Sequence, residues 1–338
     1  MQNTTTATSE RLRVLVLDDY ERLADQVPAF AQLKARAEVT VMNTRLETND
    51  ELGQALRGIH AILLMRERTR FKEDRLSLAP ALKLISQTGK TSRHLDLPAA
   101  TRRGVAIAFT PSDSGISTVE LTWGLILSLM RRIPEVDRRM RQEAWPPVPG
   151  HLIEGKTIGV VGLGRIGREV ARIARAFRAR VLATGRTLTE ERAREAGAEA
   201  VSLETLLRES DIVTIHVPLR PETRGLIGEK EIALMKRGAV LVNTARGPIV
   251  SQGALFEALQ RGHLGGAGLD VYDEEPLPMD HPLRRLDNAV LLSHRGYATE
   301  EILRARYQNA MENILNFFDG KPVQLLNPEA LTQTKKIV

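Results

Sequence analysis

Thr157-Ile158-Gly159-Val160-Val161-Gly162-Leu163-Gly164-Arg165-Ile166-Gly167 reads as a β-strand that runs straight into a G-x-G-x-x-G turn. Residues 157–161 form a short run rich in β-branched side chains, and residues 165–177 carry the spacing of an amphipathic helix. The glycine pattern alone is a weak signal. Set between a strand and a helix, it describes a turn built for a dinucleotide. Gly162 permits the tight turn, Gly164 keeps side chains away from a pyrophosphate, and Gly167 lets the helix pack close to the strand. The helix start, with Arg165 and Ile166, offers free N–H groups and a positive dipole end to the phosphates.

The same alternation of strand and helix extends in both directions. Apolar runs at 12–17, 39–42, 61–64, 82–86 and 105–108 precede the turn. Further runs at 180–183, 211–217, 239–243, 267–271 and 289–292 follow it. Segments with helical spacing separate them, which predicts parallel sheets covered by helices. One long helical pattern spans 117–143, with Pro134 inside it as a possible kink. Trp145-Pro146-Pro147 and Pro149-Gly150 then mark a linker. The last helical pattern runs from 300 to 318.

At 338 residues the chain suits two domains better than one core. No apolar run approaches the ~20 residues a membrane helix needs, so no membrane contact is expected. The polar start, residues 1–9, lacks the basic-then-apolar form of a signal peptide and reads as a short tail. Cysteine is absent, which excludes disulfides, thiolate chemistry and cysteine metal sites and fits a cytoplasmic location. No metal site is expected. The net charge of +6 is spread over amphipathic helices, and only 4% of residues are aromatic, so nucleic acid is not the expected partner. The charge suits anionic small molecules better.

The end of the second strand bears on cofactor choice. An NAD site places Asp or Glu there for the ribose 2′-OH. Here the stretch is Ala183-Thr184-Gly185-Arg186-Thr187, with no carboxylate before Glu190. Arg186 supplies charge and Thr187 a hydroxyl, which favours the 2′-phosphate of NADP(H). NAD(H) stays open, since Arg186 can also be a solvated charge or stack on adenine.

Three later segments carry candidate chemistry. They are Val242-Asn243-Thr244-Ala245-Arg246-Gly247, then Gly268-Leu269-Asp270-Val271-Tyr272-Asp273-Glu274-Glu275-Pro276, then Leu291-Leu292-Ser293-His294-Arg295-Gly296. Each sits at the end of a predicted strand, where open α/β sheets bind ligands. With the glycine turn, and in this order, they resemble the D-isomer-specific 2-hydroxyacid dehydrogenase family. The similarity covers about residues 13–331 and takes in Thr88-Gly89 before Leu95-Asp96-Leu97, Glu120, and His216-Val217-Pro218-Leu219 with Thr223.

That resemblance implies a Rossmann-type doubly wound cofactor domain at 112–298. It implies a smaller flavodoxin-like substrate domain made from 1–111 and 299–338, with a cleft between the two. It also implies a homodimer through the 117–143 helix, and Leu121, Leu125, Leu129 and Ile133 give that helix an apolar face. Arg246, Glu275 and His294 match the family's catalytic positions. His216, Pro218, Thr223, Thr244, Ala245, Asp270 and Gly296 fall where the cofactor would lie, with Asp270 toward the nicotinamide. Thr88, Gly89 and Lys90, with Thr91, match the loop that holds the substrate carboxylate through backbone N–H groups.

The residues also make chemical sense. A guanidinium at Arg246 can grip a 2-oxo acid's carboxylate and polarise its carbonyl. His294 can give a proton to that oxygen in reduction and take it back in oxidation. Glu275, chosen over Asp273 and Glu274 because it precedes Pro276, would bond the far side of the ring. The implied activity is hydride transfer between NAD(P)H and C2 of a small 2-oxo or 2-hydroxy acid, as in a glyoxylate or hydroxypyruvate reductase. Two alternatives are a nicotinamide-sensing binding protein on the same scaffold and a formate or phosphite dehydrogenase. Lys90, Arg295 and Tyr297 depart from the common family pattern. Lys90 either meets a second anionic group or points to water, and Arg66-Glu67-Arg68, after the third strand, is a second stretch that can face the cleft.

Overall fold

In the computed structural model, residues 11–90, 92–111, 114–142, 145–322 and 324–334 are described. The polar tail 1–9, Thr91 and Glu143, all named above, lie outside them. The chain divides into two compact units, Met1–Asp113 with Thr299–Val338, and Ser114–Ala298.

The first unit holds five parallel strands: β1 (Leu12–Val16), β2 (Ala37–Val41), β3 (Ala61–Leu64), β4 (Leu84–Gln87) and β5 (Ala106–Phe109). Their order across the sheet is β2-β1-β3-β4-β5. The strand order therefore reverses between β1 and β3, the place where such sheets take ligands. Leu15, Ile62, Leu64, Ile85 and Ile107 pack with Leu52, Leu56 and Phe71 in one core. Each such side chain contributes roughly 1.5–3 kcal/mol by leaving water. The C-terminal segment returns to this unit because its polar groups are needed here. In the helix Glu300–Phe318 the Ala310 carbonyl accepts from Ser86 Oγ at 2.8 Å, and Asn313 Nδ2 donates to the Phe109 carbonyl at 3.0 Å. Asn327 Oδ1 then accepts from the buried Ile107 amide at 2.7 Å.

The second unit holds seven parallel strands: β6 (Thr157–Val161), β7 (Arg180–Thr184), β8 (Glu199–Ala200), β9 (Ile212–Ile215), β10 (Val240–Asn243), β11 (Gly266–Leu269) and β12 (Ala289–Leu291). The order is β12-β11-β10-β9-β6-β7-β8, doubly wound about β6. The register pairs Val161 with both Thr184 and Ile215, so the glycine turn leaves the sheet between β7 and β9. Two apolar clusters cover the faces, one around Leu206, Leu241 and Leu255, the other around Ile126, Val160 and Val170.

The 117–143 helix differs from its expectation. It is two helices, Ile116–Met130 and Ile133–Gln142, separated at Arg131 and Arg132. Arg132 takes φ 54°, so the turn happens there. Pro134 does not kink a helix; it lies in the first turn of the second, where its missing N–H costs no bond. Leu125 and Leu129 pack over Gly266 and Gly268 of β11, so part of the apolar face serves its own unit. Ile133 is exposed. No described helix is long and apolar enough to cross a membrane.

Candidate active site

The glycine turn has the shape its sequence demands. Gly162 takes φ 100°, and a Cβ there would come within 2.8 Å of the His216 carbonyl carbon and oxygen. A Cβ on Gly167 would strike the Gly162 carbonyl, which fixes how closely the helix Arg165–Ala176 meets β6. Gly164 differs from both, with nothing within 4 Å of its Cβ position. Open space at the first turn of a helix, whose amides have no partner within it, fits a pyrophosphate. Arg186 and Thr187 are exposed beyond β7, and Arg192 Nη1 holds the Thr187 carbonyl at 2.9 Å.

Beyond β9, His216 donates its backbone N–H to the Val161 carbonyl at 2.7 Å and its Nε2 bonds Thr214 Oγ1 at 2.9 Å. Burial pushes this ring down to about 4, so it is neutral. Thr223 ties its own loop, donating to the Pro218 carbonyl at 2.7 Å and accepting from the Arg220 amide at 2.8 Å.

Beyond β10, Asn243 shapes the next turn. Its Oδ1 accepts from the Ala245 amide at 3.0 Å and its Nδ2 donates to the Arg246 carbonyl at 2.9 Å. Arg246 leaves in an extended conformation, and the following Gly247 passes so close to the Tyr272 carbonyl that a Cβ would collide. The segments after β10 and β11 are thus in contact.

Glu275 and His294 meet. His294 Nδ1 donates to Glu275 Oε2 at 2.7 Å, and Glu275 Oε1 accepts the Tyr272 amide at 2.9 Å. Burial pushes the Glu275 carboxyl up, but the bond to His294, the Tyr272 amide and the charge of Arg246 outweigh it and hold the group below its usual range. Arg246 is therefore close enough for its charge to reach the pair. Tyr272 is pinned in turn, its hydroxyl donating to the Leu292 carbonyl at 2.8 Å. His294 takes φ 56° and its Nε2 makes no hydrogen bond among the described residues. Tyr297 stands edge-on to the ring at 6.3 Å.

Asp270, expected toward the nicotinamide, binds the backbone beside His294. Its two oxygens accept the amides of Arg295 at 2.6 Å and Gly296 at 2.8 Å. Burial raises its pKa against those bonds. The carboxylate thus holds the backbone just after His294. Thr118 and Thr122, which the sequence reading did not single out, also bond into this site. Thr118 Oγ1 donates to the Gly296 carbonyl at 2.9 Å. The Thr122 hydroxyl gives its proton to the Thr118 carbonyl at 2.7 Å, so it is Thr244 that donates to Thr122 at 2.9 Å. Two threonines four apart, on one face of a largely apolar helix, were the available signal.

In the first unit, the Thr88-Gly89-Lys90 loop follows β4. The Thr88 amide donates to the Leu64 carbonyl at 2.9 Å and the Gly89 amide to Thr110 Oγ1 at 2.8 Å. Of the three amides, that of Lys90 is the one with no such bond among the described residues. Lys90 is exposed, with Nζ 5.4 Å from the Phe109 ring centroid. No group of three or more acidic, His or Cys side chains among the described residues has the form of a metal site.

Known proteins resemble this chain in sequence and fold. Residues 123–296 match the family model described as D-isomer specific 2-hydroxyacid dehydrogenase, NAD binding domain. A glyoxylate reductase of Aeropyrum pernix is 44% identical over 268 residues, which are 76% of this chain and 80% of that protein. A D-3-phosphoglycerate dehydrogenase of Archaeoglobus fulgidus is 39% identical over 264 residues, 78% of this chain and 50% of that one. The crystal structure of a phosphoglycerate oxidoreductase from Vibrio cholerae superposes with a TM-score of 0.85 at 32% identity, covering 91% of this chain and 99% of that one.

Proposed function

Because this chain belongs to the D-isomer specific 2-hydroxyacid dehydrogenase family, we propose that it interconverts a small 2-oxo acid and its 2-hydroxy acid with a nicotinamide dinucleotide. The observation that carries the reading is the bonded Glu275–His294 pair with the charge of Arg246 beside it. Arg246 binds the substrate carboxylate and polarises the carbonyl oxygen. The ionised Glu275 fixes the ring with Nδ1–H toward itself, which leaves Nε2 to face the substrate. In reduction His294 gives the Nε2 proton to the oxygen at C2; in oxidation it removes that proton. Asp270 is a positioning residue, acting through the amides of Arg295 and Gly296. The chemistry a bound nicotinamide supplies is hydride transfer at C2.

Gly162, Gly164 and Gly167 hold the dinucleotide, and the second unit is the cofactor domain. The first unit is the substrate domain. NADPH is the preferred donor, a reading supported by exposed Arg186 and Thr187 and by the lack of a carboxylate before Glu190. A homodimer through the 117–143 region is supported by exposed Ile133 and Met140. A cysteine-free composition suits the cytoplasm. The glyoxylate reductase relative supports small 2-oxo acids as substrates. The test is oxidation of NADPH and NADH by purified protein with glyoxylate, hydroxypyruvate or phenylpyruvate. Turnover supports the reading; tight dinucleotide binding without turnover would indicate a sensor. A sensor has no use for an acid and its orienter, and formate oxidation needs no proton acceptor for a hydroxyl.

A further inference from the structure

The helix Ile116–Met130 meets the sheet of the second unit along one face. Thr118, Thr122, Leu125 and Leu129 follow at helical spacing and stand in one row. The second half of that row is apolar. A Cβ on Gly266 would come within 2.9 Å of Leu129 Cδ2, and one on Gly268 within 3.0 Å of Leu125 Cβ. Two glycines of β11 therefore let the helix lie close against the sheet and fix its position there. The first half of the row is polar and reaches the segments that follow β10 and β12. Thr122 is fully buried, and its hydroxyl gives its proton to the Thr118 carbonyl, as helical threonines commonly do. The acceptor side sets it apart, because the same oxygen takes the buried Thr244 hydroxyl at 2.9 Å. Thr244 stands two residues before Arg246. Thr118 Oγ1 donates to the Gly296 carbonyl at 2.9 Å, and Gly296 stands two residues after His294. Asp270 holds the Gly296 amide at 2.8 Å, so that residue is gripped on both sides.

We infer that Thr118 and Thr122 are positioning residues, and that this single turn of helix sets the spacing between Arg246 and His294. The role rests on the reaction proposed above and adds residues to it. A 2-oxo acid presents its carboxylate and its carbonyl oxygen at a fixed separation, so the guanidinium and the ring nitrogen must keep a matching one. The Glu275 bond fixes which way the ring faces. The two threonines fix where the segments carrying the two groups stand, against an element stiffer than either segment. Their duties are separate: Thr122 serves the Arg246 side, and Thr118 serves the His294 side.

The test reads kcat and KM separately for glyoxylate, hydroxypyruvate or phenylpyruvate at saturating NADPH or NADH. Threonine to valine keeps the shape and deletes the hydroxyl. Thr122→Val should raise KM for the acid by about threefold to tenfold, the equivalent of one hydrogen bond, and hold kcat within about twofold. Thr118→Val should lower kcat by about threefold to tenfold and hold KM within about twofold. Thr122→Ser and Thr118→Ser keep the hydroxyl and should recover wild-type values. Thr122→Val combined with Thr244→Val should raise KM no further than Thr122→Val alone, because both remove the same bond. Should a valine variant fail to fold, alanine at that position decides by the same split. Wild-type kinetics in the valine variants, losses that move kcat and KM alike, serine variants that recover nothing, or an additive double variant overturn the inference while the reaction stands. If the wild type reduces no 2-oxo acid, the reaction itself has failed and this role goes with it.

Discussion

His294 Nδ1 lies 2.7 Å from Glu275 Oε2, and the other oxygen of that carboxylate takes the Tyr272 amide at 2.9 Å. The ring is therefore held from one side only, with Nε2 left for chemistry. His294→Ala should lower kcat by about 10²–10⁴-fold, the usual loss for a general acid. Dinucleotide affinity, measured by fluorescence titration, should hold. Unchanged turnover would remove His294 from its role.

Glu275→Gln isolates the orienting charge. The amide can still accept from Nδ1, but it cannot stabilise a protonated ring, so kcat should fall to a level between wild type and His294→Ala. Stability gives an independent readout. The Glu275 carboxyl sits below its ordinary 4.5 in the folded protein. Its stabilising contribution is complete above that value and is lost as pH falls through the lower folded one. Melting curves of wild type and Glu275→Gln should therefore converge as the pH drops below about 4.5. A constant difference across that range would contradict the assignment.

Arg246→Lys keeps the charge and loses the fork. One ammonium cannot span a carboxylate and the adjacent carbonyl together. KM for the 2-oxo acid should rise by about tenfold, with a fall in kcat as well. Wild-type kinetics in this variant would show that Arg246 does not touch the substrate.

Much of this arrangement was readable from residue order, and the exceptions have physical causes. The runs at 61–64 and 157–161 match β3 and β6 because an apolar run begins and ends with the sheet there. The 211–217 run was read too long. Sheet pairing stops at Ile215, and His216 and Val217 continue beyond it because they wall the glycine turn. β8, two residues at a sheet edge, is too short to carry a period. The break at Arg131 and Arg132 was hidden because arginine favours helix. It is imposed from about twenty residues away, where the His151 amide takes the Met130 carbonyl at 2.6 Å and Gly150 passes over the helix end. Glu275 was separable from Asp273 and Glu274 by its place before Pro276. The bonds of Asp270 were not readable, because nothing local says that a carboxylate at the end of β11 serves amides twenty-five residues on.

The glycines of the turn should separate by mechanism. Gly167→Ala puts a Cβ onto the Gly162 carbonyl and should destabilise the fold by about 1–3 kcal/mol, as overpacking does. Gly164→Ala meets no protein atom within 4 Å and should melt like wild type. Its methyl instead occupies the space open to the pyrophosphate, so dinucleotide Kd should rise. Calorimetry and titration on the two variants check this together. Equal melting temperatures, or a Gly164→Ala protein that binds as wild type does, would contradict the reading of the turn.

The proposed preference for NADPH is tested at Arg186, a side chain with no hydrogen bond among the described residues. Arg186 is exposed beyond β7, while its neighbour Thr187 has its carbonyl held by Arg192. A 2′-phosphate would meet the guanidinium of Arg186 in a charge-assisted bond, which a 2′-OH cannot make. Arg186→Ala should raise KM for NADPH by about tenfold or more and change KM for NADH little, without altering Tm. The effect on NADPH should also shrink as salt rises, because an exposed charge pair is screened. Equal losses with both dinucleotides would mean that Arg186 stacks on the adenine, and the preference would return to NADH.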